Sequence, residues 1–407
     1  MAFRSVNTGS KRAASGRAVI RKKKKGRTTM DKPVTFAICG LGIRGLEAYA
    51  AFQKQHPEKM KITAGADPDP DRRAALQANY GVPAGSCFAT GEELLAQPRL
   101  ADVMIIATQD RQHVAQALAA LDKGYHLVLE KPISPLLDEC LALQKKAHEA
   151  NRVVVVCHVL RYTKFYGTLY ELLRGGAIGR IESLDAVENV AYWHYAHSYV
   201  RGPWNNDKTS GPLILTKSCH DMDILIWLTG KRARYVSSYG NNYLFRAEKA
   251  PAGAAQRCMD CAVRAGCPYD AVRYYLESGR TSVRAGRVHW PINVLDPHPT
   301  PENIEQALRT GPYGRCVYHC DNDVVDHQVV NIELDGGTTI NFTMSAFTER
   351  CYRTIKVMGT HGCVEGNMDL SHLVWHDFFG HSEEMDLNVT DGSMAGHGGG
   401  DAVMVKQ

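Results

Sequence analysis

Between Pro33 and Cys157, five near-continuous apolar runs alternate with amphipathic segments, and no other feature constrains the fold as tightly. The runs are 34–39, 60–66, 102–108, 125–130 and 153–157. Strands that are apolar on both faces must be covered on both, which implies a parallel sheet flanked by helices. Helical patterns lie between the runs, through Gln55 and at about 70–80, 112–123 and 135–150. The expected first unit is an α/β domain over 32–157 with a Rossmann-like, doubly wound parallel sheet.

After Cys157 the rhythm changes. A helix is expected at 164–174, a strand at 181–190, an aromatic-rich loop at 192–206 and a helix at about 216–228. Residues 248–322, rich in Gly, Pro, Arg and Cys, read as an insertion without a core of its own. Alternating strands resume at 326–334, 338–346 and 353–358, with Gly336-Gly337 as a hairpin turn. Residues 158–407 are therefore expected to form an α+β domain with a large open, mainly antiparallel sheet. That sheet would wall the active site and supply an oligomer interface.

Charge is uneven along the 407 residues. Ten of the 48 Lys and Arg, and none of the 43 Asp and Glu, fall within residues 1–30. The rest holds 38 basic against 43 acidic residues, so nucleic acid is not the expected partner. Residues 1–31 lack apolar periodicity and read as a basic disordered extension outside the fold. No apolar stretch reaches the roughly 18 residues of a membrane span, and none resembles a signal-peptide core. Twelve scattered cysteines then point to a reducing, cytoplasmic setting. Only six residues follow Gly396–Asp401, so the chain reads as short of a terminal helix.

The first strand run leads directly into Gly40-Leu-Gly42-Ile43-Arg44-Gly45. Here the first glycine permits the tight turn, the second admits a pyrophosphate, and the third lets helix and strand pack closely. The helix start adds N–H donors and a positive dipole end. Asp67 ends the next strand 22 residues after Gly45. A carboxylate there accepts the ribose hydroxyls and repels a 2′-phosphate, which favours NAD over NADP. Arg72 and Arg73 stand nearby and soften that preference.

Further signals accumulate in order: Thr108 and His113 after the third run, Glu130-Lys131-Pro132 closing the fourth, then Gly211-Pro212 and Thr216-Lys217-Ser218-Cys219-His220-Asp221-Met222-Asp223. With them the chain resembles the glucose–fructose oxidoreductase/inositol dehydrogenase (Gfo/Idh/MocA) oxidoreductases over roughly 33–245 and 325–400. The resemblance implies that Lys131 lies beside the nicotinamide and the substrate hydroxyl. It implies that His220 is the acid/base, and it extends the cofactor set to Ile43, Arg44, Thr108, His113, Glu130 and Lys131. The chain departs from the family at one point. Thr216 occupies the place of an aspartate four residues before the histidine, and a threonine cannot serve as a carboxylate base. Lys217, three residues before His220, would share its helix face and is a third catalytic candidate.

Arg161, Tyr162, His197, Arg201, Trp204 and Thr216 are the expected substrate contacts. The segment Tyr192–Trp204 supplies flat apolar rings with polar tips, which suit a sugar or cyclitol or, equally, an aromatic interface or edge cover. Cys258, Cys261 and Cys267, with Cys320 as fourth ligand, have the close spacing of a structural zinc site. An iron–sulfur cluster, a disulfide or free thiols are the alternatives.

The expected activity is NAD-dependent oxidation of a secondary hydroxyl on a sugar, cyclitol or glycoside by a homodimer or homotetramer. One alternative is glycosidic cleavage through transient oxidation and elimination. Another is a non-enzymatic NAD- and sugar-binding regulator.

Overall fold

The computed structural model describes residues 32–387 and 399–406. The basic segment 1–31 lies outside them. Six parallel strands form the first sheet: β1 (Val34–Cys39), β2 (Met60–Ala66), β3 (Cys87–Phe88), β4 (Val103–Ile106), β5 (His126–Leu129) and β6 (Val154–Val156). Their order, β3-β2-β1-β4-β5-β6, is that of two mononucleotide-binding halves meeting between β1 and β4. Helices Pro70–Tyr80, His113–Asp122 and Leu137–Glu149 cover the sheet as the pattern required. Helix Pro70–Tyr80 shows why its ends were readable. Asp69 caps it by accepting the Asp71 N–H, Pro70 opens it, and Gly81 closes it at φ +68°.

Eight strands form the second sheet: β7 (Ile181–Ala191), β8 (Ala233–Asn241), β9 (His327–Leu334), β10 (Thr339–Thr348), β11 (Tyr352–Gly359), β12 (Gly362–Asn367), β13 (His372–Asp377) and β14 (Ser382–Asp386). The order is β14-β13-β12-β11-β7-β10-β9-β8, antiparallel throughout except for β7 against β10. Gly336 and Gly337, both at φ +82°, turn β9 into β10. One face packs on helices Lys164–Arg174 and Cys219–Thr229, whose Tyr170 and Trp227 stack at 4.1 Å. The other face is largely uncovered, and Tyr235, Val236 and Tyr239 of β8 are exposed on the molecular surface. Among the described residues no helix is long and apolar enough to cross a membrane.

Four local expectations are corrected. The aromatic segment is helical, as Tyr192–Tyr195 followed by a wider-wound stretch, Ala196–Arg201. Every residue of that second stretch is buried, so no polar face marks it as a helix. The helix through His220 is two pieces, Leu213–Thr216 and Cys219–Thr229, broken at Lys217. The insertion has a core of its own, in which Val272, Tyr275, Ile292, Ile304 and Leu308 pack together. The chain also possesses a last helix, Gly400–Lys406, whose Met404 packs into the first domain's core.

Candidate active site

The glycine-rich turn behaves as its spacing demands. Gly40 sits at φ +90°, and a Cβ there would lie 2.4 Å from the Ala107 carbonyl oxygen. A Cβ on Gly45 would lie 2.0 Å from the Gly40 carbonyl oxygen, so the helix can press on the strand only without it. At Gly42 the nearest atom to such a Cβ is the Arg72 guanidinium at 3.8 Å, so the middle of the turn faces open space. That space is a groove of about 380 Å³, lined by Leu41, Gly42, Ile43 and Arg72, and also by Asn293 and His298 of the insertion. Buried Asp67 at the end of β2 accepts the Leu41 N–H at 2.8 Å and the Asp69 N–H at 3.0 Å. Arg72 stands 3.5 Å from the same carboxylate. A side-chain-free turn beside an anchored carboxylate fits an NAD pyrophosphate and its adenosine ribose.

Three expected cofactor residues are committed elsewhere. The Arg44 guanidinium donates to Glu130 at 2.6 Å and to Asp401 of the terminal helix at 2.6 and 3.1 Å. Glu130 also accepts from Tyr49 and, at 3.0 Å, from the Lys131 N–H. Burial opposes ionisation of Glu130, but Arg44 and Lys131 outweigh it and hold its carboxyl below the usual range. His113 is fully buried, with one ring nitrogen 2.8 Å from the Pro132 carbonyl oxygen and the other 3.2 Å from that of Thr108. These side chains fix the backbone on either side of Lys131 instead of pointing at a ligand. Thr108, partly exposed, donates its hydroxyl to Gln116 at 2.9 Å.

Lys131 leaves the end of β5 and crosses to the second domain, where its Nζ donates to the Thr216 carbonyl oxygen at 2.9 Å. The Thr216 side chain itself is buried. His220, at the start of helix Cys219–Thr229, is 5% exposed and meets His158 edge to face, with ring centres 6.2 Å apart. His158, just beyond β6, was not singled out from the sequence; its position at a strand's carboxyl end was the available signal. Burial lowers the His158 pKa, and Asp223, with an oxygen 3.9 Å from its Nε2, opposes the shift. The imidazole is therefore neutral near pH 7. Arg161 grips Asp223 through both its Nε, at 2.6 Å, and a terminal nitrogen, and lies over the Trp227 ring. Tyr162 packs against the first domain's core.

Lys217, at the helix break, does not share a helical face with His220. Its Nζ lies 3.2 Å from Glu188 on β7. Glu188 stands directly opposite Arg353 of β11 in the sheet register and pairs with it. Arg353 in turn holds Asp221 at 2.7 Å. Burial pushes the Asp221 carboxyl up to about 6 although Arg353 opposes it. Two cations and two anions thus alternate from Lys217 to Asp221 at the start of the His220 helix, and Thr216 stands where the resemblance expects a carboxylate.

The remaining expectations move to the insertion. His197 is 2% exposed, stacks on Tyr313 at 4.7 Å and bonds the Tyr275 hydroxyl at 2.7 Å. Burial lowers its pKa to about 3. Arg201 donates to the carbonyl oxygens of Arg315 and Tyr269, each at 2.8 Å. Both side chains bind the insertion to the body and are closed to substrate. Trp204 packs partly buried on the second domain's core. Cys320 does not line the cavity that Cys258, Cys261 and Cys267 share; Cys316 does. Among the described residues no group of three or more His, Cys, Asp or Glu side chains could hold a metal ion, so the expected zinc site finds no support.

Known proteins agree with this architecture. The family description "Oxidoreductase family, NAD-binding Rossmann fold" matches residues 34–158, and "Oxidoreductase family, C-terminal alpha/beta domain" matches residues 170–388. A putative oxidoreductase, YteT of Bacillus subtilis, is 25% identical over 394 residues, covering 90% of this chain and 86% of its own. The scyllo-inositol 2-dehydrogenase (NAD(+)) of the same organism is 25% identical over 52% of this chain, which spans 58% of that enzyme. In fold, an inositol dehydrogenase homologue from Azotobacter vinelandii, complexed with NAD+, superposes with TM-score 0.63 at 15% identity, over 92% of this chain and 84% of the other. A levoglucosan dehydrogenase in complex with NADH and levoglucosan gives 0.64 at 16% identity, over 92% and 88%. The matched domains, in this order and over this span, place the chain in the Gfo/Idh/MocA oxidoreductase family.

Proposed function

We propose that the protein is an NAD-dependent dehydrogenase acting on a secondary hydroxyl of a sugar or cyclitol. The observation that carries this reading is the meeting of Lys131 with Thr216, four residues before His220, with the ammonium near enough to His158 to disfavour its protonation. The glycine-rich turn and Asp67 would hold NAD, which would supply the hydride acceptor for the carbinol carbon. The chain must remove the hydroxyl proton and steady the negative charge that develops on oxygen. In this reading His220 takes the proton. Lys131, held in place by the Thr216 carbonyl, supplies the positive charge. His158, neutral and in edge contact with His220, orients it. Lys217 and Glu188 provide the charge pair that supports the helix start in place of the missing aspartate.

Relatives support the substrate class. Besides the inositol dehydrogenase, a 1,5-anhydro-D-fructose reductase of Ensifer adhaerens is 28% identical over 38% of this chain, which spans 45% of that enzyme. The same reading assigns the uncovered sheet face, with Tyr235 and Tyr239, to a homo-oligomer contact. The test is a panel of free cyclitols, sugars and glycosides incubated with NAD+. Net NADH with a ketone product supports dehydrogenation. Cleaved glycoside without net NADH supports elimination and overturns it.

A further inference from the structure

The segment 290–298 of the insertion reaches across to the glycine-rich turn. Its Asn293, Pro297 and His298 line the groove of about 380 Å³ together with Gly42, Ile43 and Arg72. The segment is anchored along its length. Trp290 packs edge to face on His194, with ring centres 5.0 Å apart. Asn293 sits in the single turn Ile292–Val294, and Ile292 is fully buried in the insertion's own core. Further on, the His298 N–H donates to Asp296 at 2.8 Å, and the His298 carbonyl accepts from the Asn303 amide at 2.9 Å.

A second observation is an acceptor that lacks a donor. Asn293 Oδ1 is buried and has no hydrogen-bond partner among the described residues. A buried polar atom left so is costly, and one held on an anchored turn at the wall of a groove suits completion by a ligand. The cations of the groove wall are engaged elsewhere. Arg72 is shared between Asp67 at 3.5 Å and Asp69 at 3.4 Å. Lys54 lies against Asn79 and over the Tyr80 ring. Arg72 lines the groove and also touches Asp67, so Asn293 and Asp67 flank the same end of it. In a dinucleotide held by the glycine-rich turn, the pyrophosphate presents acceptors only. The adenosine ribose beside Asp67 presents two neighbouring hydroxyl donors.

We propose that Asn293 completes the adenosine-ribose site from the insertion. Its Oδ1 accepts a hydrogen bond from one ribose hydroxyl while Asp67 accepts from the other, and Pro297 and His298 cover that end of the dinucleotide. The inference rests on the NAD reading above and adds to it a contact from the second domain. It also gives the insertion a task in cofactor binding, since the turn that carries Asn293 is fixed by the insertion's own core.

The test is isothermal titration of the full chain and of Asn293→Leu with NAD+, with ADP-ribose, and with the two NAD+ analogues that lack the 2′- or the 3′-hydroxyl of the adenosine ribose. Leucine keeps the volume and removes the acceptor. Because Oδ1 has no partner in the free protein, the Tm of the free chain should not fall. NAD+ and ADP-ribose should each bind the variant about three- to tenfold more weakly, the range for one lost hydrogen bond. One of the two deoxy analogues should bind both proteins equally, because it lacks the hydroxyl that Asn293 holds. Should the leucine variant fail to fold, Asn293→Ala is titrated with the same four ligands. Equal NAD+ affinity in wild type and variant overturns the proposal and leaves the NAD reading standing. A loss of the same size for both deoxy analogues as for NAD+ also overturns it. Wild-type protein that binds no NAD+ overturns both.

Discussion

The Lys131 ammonium reaches out of the first domain to the Thr216 carbonyl oxygen, 2.9 Å away in the second. This hydrogen bond ties the end of β5 to the helix break that precedes His220. Lys131→Ala is expected to lower kcat by about 10²–10⁴-fold, the usual range for a lost proton-transfer or charge-stabilising group. Calorimetry should still detect NAD binding, because the glycine-rich turn and Asp67 are untouched.

The buried chain of charges from Lys217 through Glu188 and Arg353 to Asp221 contains no member that is free to lose its partner cheaply. Glu188→Gln leaves Lys217 without a carboxylate and is expected to cost about 3–5 kcal/mol in denaturant unfolding. Arg180→Ala, which breaks the exposed pair with Glu182, is the control and should cost about 1 kcal/mol at most.

The three glycines of the turn should separate in their effects. Gly45→Ala drives a Cβ to within 2.0 Å of the Gly40 carbonyl oxygen, so it should lower Tm sharply. Gly42→Ala meets nothing closer than a side chain at 3.8 Å and should leave Tm unchanged. It should nonetheless weaken NAD binding at least about tenfold, or roughly 1.4 kcal/mol, because the methyl group occupies the space that fits the pyrophosphate. Differential scanning calorimetry and isothermal titration distinguish the two.

His197 gives the fold a pH dependence of known sign. Its folded pKa, about 3, lies below the ordinary histidine value, so the unfolded chain takes up a proton that the folded one refuses. Its stabilising contribution is complete above about pH 6.5 and is lost as pH falls toward 3. Between those limits one such group contributes a slope of about 1.4 kcal/mol per pH unit. His197→Phe should remove that slope from a series of unfolding curves between pH 6 and 4, at the cost of the Tyr275 hydrogen bond.

Local order explains what the sequence disclosed. Apolar runs such as Val34–Cys39 and Val103–Ile106 are continuous because both faces of their sheet are covered, and the capped helix Pro70–Tyr80 announces its own ends. The stretch 196–201 was hidden because a helix buried all round has no periodic face. Strands β12 to β14, rich in Gly, His and acids, lie toward one exposed edge of their sheet and show little alternation. Motif order marked Lys131 and His220 as candidates, whereas no local signal marked His158, Glu188 or Arg353. Their roles come from strand ends and from cross-strand register, which no local spacing encodes. The polar tips of His197 and Arg201 suggested a ligand, but they serve the insertion that covers them.

The central claim is that the Lys131–His220 pair performs NAD-dependent oxidation of a secondary hydroxyl. The most direct measurement follows absorbance at 340 nm while the full chain acts on NAD+ and a cyclitol and sugar panel, beside Lys131→Ala and His220→Ala. The account predicts NADH equal in amount to ketone product for at least one substrate, with both variants reduced by about two orders of magnitude or more. Tight NAD binding with no turnover on any substrate, or turnover that both variants retain, would contradict it.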